Sequence, residues 1–500
     1  MSERNSYSNI IKATTLFGGV KVIQILITII RTKFIAILLG PSGMGISGMI
    51  TATLEIIGSL VGFGLGTSGV KDVSQAFTSG NVLRKNTIIT ILRKIVIITG
   101  LIGTFITFIF APSLSVITFG SDEYTIAFRI VSITLLFNQV NIGFTVLLQG
   151  TFRYSEIAKS ALIGSFLGLL LTVPLYYIWG IGAIIPAIII SSAVQLLLSW
   201  FFARKIEYTK VFLSIKETYI HGKGMISLGF VIAFTGFATQ GAAYLLKIFI
   251  SRYGQISEVG LYTAGVGMVS SYVGIVLNAM STDYAPRISS IASNNTELIE
   301  VINKQIILLI TILAPLILIF MVFIKYLVLL FYTKEFVITT NMIEWVLLGM
   351  FFRAISWALS FSFVARGDSK IFFWNELAAN FYSLLFSITG YFFWGIEGLG
   401  IGYFLTYIVY SIHMFYLARS RFKFIFNPYF IKIFIFQLIV LVVSFLLSKF
   451  LGFVIYRYLL NSILICLIFW FSIKNLNKMI NLPVMVENLF IKFSAIYIYI

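Results

Sequence analysis

The chain has 500 residues, 59% of them hydrophobic and 11% charged, with a mean hydropathy of +1.00, which excludes a water-soluble globular protein of this length. Its 36 Lys+Arg against 18 Asp+Glu leave a net charge of +18, and on so apolar a chain that excess belongs to cytoplasmic loops facing anionic lipid rather than to nucleic-acid binding. The single cysteine, Cys466, lies in an apolar run and reads as a small apolar filler, and the only histidines are His221 and His413; disulfides, zinc sites and Cys/His nucleophile pairs are thereby excluded.

A bilayer core takes roughly 20 apolar residues per helix. With that ruler the chain divides into spans at Thr14 to Leu39, Ile46 to Thr67, Ile88 to Ile109, Ile126 to Leu148, Ile157 to Trp179 and Ile181 to Ala203. A second set follows at Met225 to Ile250, Val259 to Met280, Ile306 to Leu330, Met342 to Val364, Trp374 to Trp394 and Ile396 to Ala418, and two more at Ile431 to Phe450 and Phe453 to Ile473. The polar start, Met1 to Ile11, leads into a stretch too long for a cleaved signal, so the first span is expected to stay in the mature protein. The tail from Asn475 to Ile500 mixes Glu487 and Lys492 with apolar residues, as an interfacial helix does.

Lys and Arg crowd the second loop (Lys71, Arg84, Lys85, Arg93, Lys94) and the sixth (Arg204, Lys205, Lys210, Lys216, Lys223), whereas the third carries Asp122 and Glu123. Even-numbered loops are therefore expected in the cytoplasm, with both termini. No loop is long enough for a soluble catalytic domain.

An internal repeat is legible. Tyr176-Tyr177-Ile178-Trp179-Gly180-Ile181 recurs as Tyr391-Phe392-Phe393-Trp394-Gly395-Ile396, an offset of 394 minus 179, or 215. Lys33 stands seven residues before Gly40, as Lys247 does before Gly254, and the basic turns Arg153 with Lys159 and Arg366 with Lys370 correspond. A duplication accounts for all three matches. The expected architecture is an all-α polytopic membrane protein of about 14 helices: an N-lobe over 1–210, a C-lobe over 211–421, and 422–500 holding the last two spans and the tail. Each lobe has an even number of helices, so the two copies share one orientation around a central cavity, an arrangement suited to alternating access.

Ionisable residues at bilayer depth normally face a wet cavity or a partner. The first span carries Thr14, Lys21, Gln24, Thr28 and Arg31 on one helical face. The second adds Thr51, Glu55 and Ser59, and the fourth adds Thr134, Asn138, Asn141, Thr145 and Gln149 on a single face. In the second copy, the seventh span offers Gln240, Tyr244 and Lys247, and the tenth offers Glu344 on one face and Arg353, Trp357 and Ser360 on another. Lys33, Arg252, Lys325 and Arg457 lie near span ends, where snorkelling to headgroups competes with a ligand role. Glu55 either neutralises Lys21 or Arg31 as a structural pair or couples an ion. Lys21, Arg31, Lys247 and Arg353 against Glu55 and Glu344 make a cationic cavity suited to an anionic substrate such as a pyrophosphate, lined by Gln24, Thr28, Asn138, Asn141 and Gln149.

Several motifs in order carry a family resemblance: Gly19-Val20-Lys21, then Lys33 to Gly45, the Gly-rich Gly62 to Gly69, Phe119 to Tyr124, Gln149 to Arg153, Lys334-Glu335-Phe336 and Ala365-Arg366-Gly367. Over Thr14 to Arg421 the chain resembles Wzx-type O-antigen flippases, especially their lipid III branch, within the multidrug/oligosaccharidyl-lipid/polysaccharide exporter (MOP) superfamily. That branch typically has twelve helices, and the last two spans depart from it. The resemblance implies movement of an undecaprenyl-pyrophosphate-linked oligosaccharide across the inner membrane without covalent chemistry and without a cofactor. It places the pyrophosphate at Lys21, Arg31 and Lys247 and makes Glu55 and Glu344 candidates for coupling to H+ or Na+. Alternatives of the same fold are a flippase for the peptidoglycan lipid precursor and a multidrug antiporter, the latter disfavoured by the basic first span. A membrane glycosyltransferase or polymerase would need an Asp-x-Asp metal motif or a large outer loop, and the sequence has neither.

Overall fold

Every long apolar run becomes helix, because a chain in lipid must satisfy its backbone polar groups internally. The computed structural model describes residues 3–480, and the side chains of residues 23–479 apart from a few positions between 215 and 369. The described secondary structure is entirely helical: α1 (Glu3–Val61), α2 (Leu65–Thr78), α3 (Val82–Ile109), α4 (Ala111–Phe119), α5 (Thr125–Val131), α6 (Ile133–Gly150), α7 (Tyr154–Trp179), α8 (Ile184–Ala203), α9 (Ile215–Tyr253), α10 (Ile256–Tyr272), α11 (Ile275–Ser290), α12 (Asn295–Phe331), α13 (Thr340–Ala365), α14 (Ser369–Phe422), α15 (Pro428–Phe450) and α16 (Val454–Ile480).

Polar caps set the starts of helices that follow loops. Asn81 accepts from the Arg84 amide at 2.9 Å at the head of α3. At the head of α9, Ser214 and Glu217 form a reciprocal capping box at 3.1 and 2.6 Å. Asn427 caps α15, with Pro428 at its first position, where a missing N–H costs nothing.

Nine helical segments among the described residues are long and apolar enough to cross a membrane, ten if a pair bent by 43° at residues 272–275 counts as one span. Three of the nine, Ile23–Val61, Tyr154–Ala203 and Lys370–Phe422, run on past a glycine and each draws on two of the stretches that hydropathy separates. The bends are backbone events. Gly40 bends α1 at φ 63°, ψ −171°, and Gly395 bends α14 at φ 56°, ψ −135°, conformations that side chains with a Cβ rarely adopt. Elsewhere a span that hydropathy reads as continuous is interrupted: Ser132 separates α5 from α6, and Gly62–Gly64 ends α1 before α2. The last span reaches Ile480, so residues 475–480 of the tail continue α16, and the remainder of the expected interfacial helix lies outside the described residues.

The repeat also has a backbone signature. Gly180, at φ 53° and ψ −130°, repeats at Gly395, 215 residues on. The turn after α6, with Phe152 at φ 60° and the Arg153 amide bonded to the Leu148 carbonyl, repeats as Gly367 at φ 74° with Asp368 bonded to Phe363 at the same offset. Trp179 and Trp394 sit at the two equivalent breaks, 59% and 58% exposed, the placement of aromatic side chains at a membrane–water interface.

By internal packing the chain forms two compact units, Met1–Thr263 with Leu330–Phe336, and Ala264–Leu329 with Val337–Ile500. In the first, α6 buries Gln139, Gly143, Val146 and Gly150, and Gly143 and Gly150 let Val96 of α3 and Val73 of α2 approach its backbone; small residues do this work in lipid, where apolar side chains gain nothing by leaving the acyl chains. In the second, α13 is the most enclosed of the spanning helices and α16 the least. Helix α15 stacks Phe434 on Phe351 at 5.5 Å and Phe445 against Trp345 at 4.5 Å. Ser444 donates to Asn461 and Tyr429 to Asn475, each at 2.6 Å, and these bonds fasten α16 to α15. Asn303 of α12 donates to the Ile425 carbonyl and accepts from the Asn427 amide, fixing the loop that leads into α15. The last two spans are thus built into the second unit.

Candidate functional site

In the first unit the polar stripe of α6 is unevenly exposed. Asn138 and Gln149 are exposed and Asn141 and Thr145 half-buried, while Thr134 is buried and bonded to its own helix at Val131. On α1, Gln24 is half-buried and Thr28 exposed, the Thr28 hydroxyl donating to the Gln24 carbonyl at 2.8 Å. The side chain of Lys21 lies outside the described residues. Arg31 is half-buried, donates through Nη2 to Ser191 Oγ of α8 at 3.2 Å, and has Tyr176 of α7 as a hydrogen-bonding neighbour. Its Nε is buried without a hydrogen-bond partner, a donor held ready at membrane depth.

Lys247 of α9 donates from Nζ to the Gly48 carbonyl of α1 at 3.3 Å, and the Glu55 carboxylate is its electrostatic neighbour. Glu55 itself is exposed. Of the cations near span ends, Lys33 donates to the Tyr332 carbonyl, and Arg252 caps the end of α4 through the Val116 and Ile117 carbonyls. Tyr244 shares a 2.5 Å hydrogen bond with Thr118, which lies 3.4 Å from Thr53.

The second unit holds two further polar groups of residues. Arg353, midway along α13, donates to Tyr403 Oη at 3.2 Å and lies 5.5 Å from the Tyr407 ring centre, a cation–π geometry. Glu376 of α14 is its opposite charge and also neighbours Tyr407 and Tyr410. Trp357, on the Arg353 face, stacks on Tyr284 at 5.7 Å. Glu344 is buried elsewhere on α13, beside Glu397, Lys449 and Arg457. Glu397, just past the Gly395 bend, accepts from Lys449 at 2.5 Å, Trp345 at 3.1 Å and Asn341 at 3.4 Å.

Periodicity does not single out Glu376, Tyr403, Tyr407, Glu397 or Lys449. The available signal was the 4-and-3 spacing of Tyr403, Tyr407 and Tyr410, hidden in a chain with 25 tyrosines and 49 phenylalanines. The structure gives Arg353 and Lys247 each a carboxylate neighbour in its own unit, Glu376 and Glu55, whereas Arg31 bonds Ser191 and neighbours Tyr176. Among the described residues no cluster of His, Cys, Asp and Glu could hold a metal ion.

The fold is similar to those of solved MOP-superfamily proteins. It is similar to the lipid II flippase MurJ in its inward closed conformation, with a TM-score of 0.73 at 14% identity over 94% of this chain and 99% of that one. It is also similar to an inward-facing multidrug-resistance MATE family transporter, with a TM-score of 0.68 at 16% identity over 82% of this chain and 98% of that one. A multi-pass helical membrane protein is the class so defined. Residues 34–341 match the model of the polysaccharide biosynthesis protein family, and the chain belongs to that family. Over 363 residues, 71% of this chain and 84% of the relative, it is 21% identical to a proposed O-antigen transporter of Shigella flexneri.

Proposed function

We propose that the protein is a flippase of the bacterial inner membrane, with both termini cytoplasmic, that moves an undecaprenyl-pyrophosphate-linked oligosaccharide from the cytoplasmic to the periplasmic leaflet by alternating access. The observations that carry the reading are two cations of the first unit, Arg31 and Lys247, each with its own surroundings. Arg31 keeps a buried Nε without a partner, and Lys247 has one hydrogen bond, to a carbonyl, among the described residues. Guanidinium and ammonium donors of this kind suit a pyrophosphate. Lys21 lies on the Arg31 face of α1 by periodicity and joins them, and the polar side chains of Gln24, Thr28, Asn138, Asn141 and Gln149 supply hydrogen bonds to the cargo. Arg353 of the second unit is taken as a separate substrate contact within its own unit.

The polyprenyl chain stays in the bilayer, and no bond is made or broken. Glu55, beside Lys247, is the favoured carboxylate for coupling to H+ or Na+, with Glu344 as the second. Other polysaccharide-assembly proteins would receive the cargo in the periplasm. A second reading, a flippase for the peptidoglycan lipid precursor, draws on the same two cations. In cells lacking the protein, the wild type is expected to restore surface polysaccharide. Lys21→Ala and Arg31→Ala variants at normal membrane abundance are expected not to, and full export by both would overturn the pyrophosphate site.

A further inference from the structure

We infer that Arg353, Glu376, Tyr403 and Tyr407 of the second unit form a saccharide-binding subsite, a role that rests on the flippase reading and specifies which part of the cargo the second unit holds. All four side chains lie within spanning segments, retain partial exposure and come from two adjacent helices, α13 and α14. Arg353 is positioned from two sides, by the Tyr403 hydroxyl and the Tyr407 ring, whose centres are 4.7 Å apart. Glu376 makes no hydrogen bond or ion pair within 4 Å among the described residues, and Arg353 is its electrostatic neighbour of opposite charge. A carboxylate at bilayer depth in that state calls for donors from water or a ligand.

The arrangement suits hydroxyl groups better than phosphate. Its formal charge balances, one guanidinium against one carboxylate, so it has no net attraction for a dianion. It offers donors from Arg353, an acceptor in Glu376, and the Tyr403 and Tyr407 hydroxyls, which do both. A sugar hydroxyl likewise donates and accepts. Two tilted tyrosine rings beside these polar groups add apolar faces against which a sugar ring can lie, the combination of aromatic walls and few oriented polar groups that marks small-molecule sites.

The test uses the full chain in lipid nanodiscs and two probes, undecaprenyl pyrophosphate and the undecaprenyl-pyrophosphate-linked oligosaccharide extracted from the cells that make the protein. Glu376→Gln, Tyr403→Phe and Tyr407→Phe keep shape, and thermal unfolding confirms that each variant is folded. Glu376→Gln is expected to bind the glycosylated lipid about tenfold more weakly than wild type, and the Tyr→Phe variants about fivefold. All three should bind undecaprenyl pyrophosphate as wild type does. Equal losses for both lipids, or no loss for the glycosylated one, would overturn the subsite, including the outcome in which Glu376→Gln changes only the pH dependence of transport because the carboxylate carries a proton. Failure of the wild type to bind either lipid would instead overturn the flippase reading beneath it.

Discussion

Replacing Lys247 by Met removes one charge and leaves an unbranched apolar side chain in its place. In the protein the ammonium has three N–H donors and one hydrogen-bond partner among the described residues, the Gly48 carbonyl at 3.3 Å. Losing that long bond costs about 1 kcal/mol of stability at most, and removal of a half-buried charge from a membrane-spanning segment offsets part of it. Binding should suffer far more. Hydrogen bonds to charged groups contribute about 1.5 to 3 kcal/mol, so the loss of this donor predicts roughly 10- to 100-fold weaker binding of undecaprenyl pyrophosphate. Lys247→Arg, which keeps the charge with a different shape, should fall between. Native mass spectrometry or a fluorescent-lipid titration on detergent-purified protein reads the affinity, and a thermal midpoint confirms folding. Folded Lys247→Met protein that binds within twofold of wild type would refute the assignment of this lysine to the anion.

The Lys449–Glu397 pair, 34% and 26% exposed, should couple by about 1 to 2 kcal/mol in a double-mutant cycle of Lys449→Met and Glu397→Gln read by denaturant titration; a coupling near zero would show that it does not hold α15 to the bend of α14. A Cβ on Gly180 or on Gly395 would meet no atom within 4 Å, so Gly180→Ala and Gly395→Ala should each cost about 1 to 3 kcal/mol from backbone strain alone, and unchanged stability would mean that the breaks are not fixed. Burial raises the Asp72 carboxyl above its ordinary range against the opposing charges of Lys71 and Arg84. Its folded pKa therefore exceeds its unfolded one, so the ionised group destabilises the fold at neutral pH, and that cost fades as pH falls through the folded pKa towards the unfolded one. Asp72→Asn should accordingly raise the thermal midpoint at pH 7 and give no gain in acid, and an equal gain at both would contradict the burial argument.

Much of the fold follows from the apolar runs, because lipid admits only helix there, and the hexapeptide that contains Gly180 and its copy that contains Gly395 mark equivalent bends. Hydropathy is blind to breaks such as Ser132 and the Gly62–Gly64 turn, which are set by backbone geometry and leave composition unchanged. The α6 stripe was legible because Asn138, Asn141, Thr145 and Gln149 recur at helical spacing. Glu376 was not, since it lies outside the polar stripes that helical spacing picks out and gains meaning only from its electrostatic neighbour Arg353 on α13. The last two spans, which stand outside the sequence repeat, acquire a physical place through Lys449 on Glu397, Phe434 on Phe351 and Tyr429 on Asn475.

The most direct test of transport uses proteoliposomes holding the purified protein and a labelled undecaprenyl-pyrophosphate-linked oligosaccharide, with a membrane-impermeant glycosidase added outside. Protein-containing vesicles should expose the whole pool to the enzyme over time, whereas protein-free vesicles, and vesicles carrying the Arg31→Ala, Lys247→Met double variant, should expose only the outer-leaflet share. Cleavage confined to the outer leaflet with folded wild-type protein, under either direction of H+ or Na+ gradient, would contradict the account.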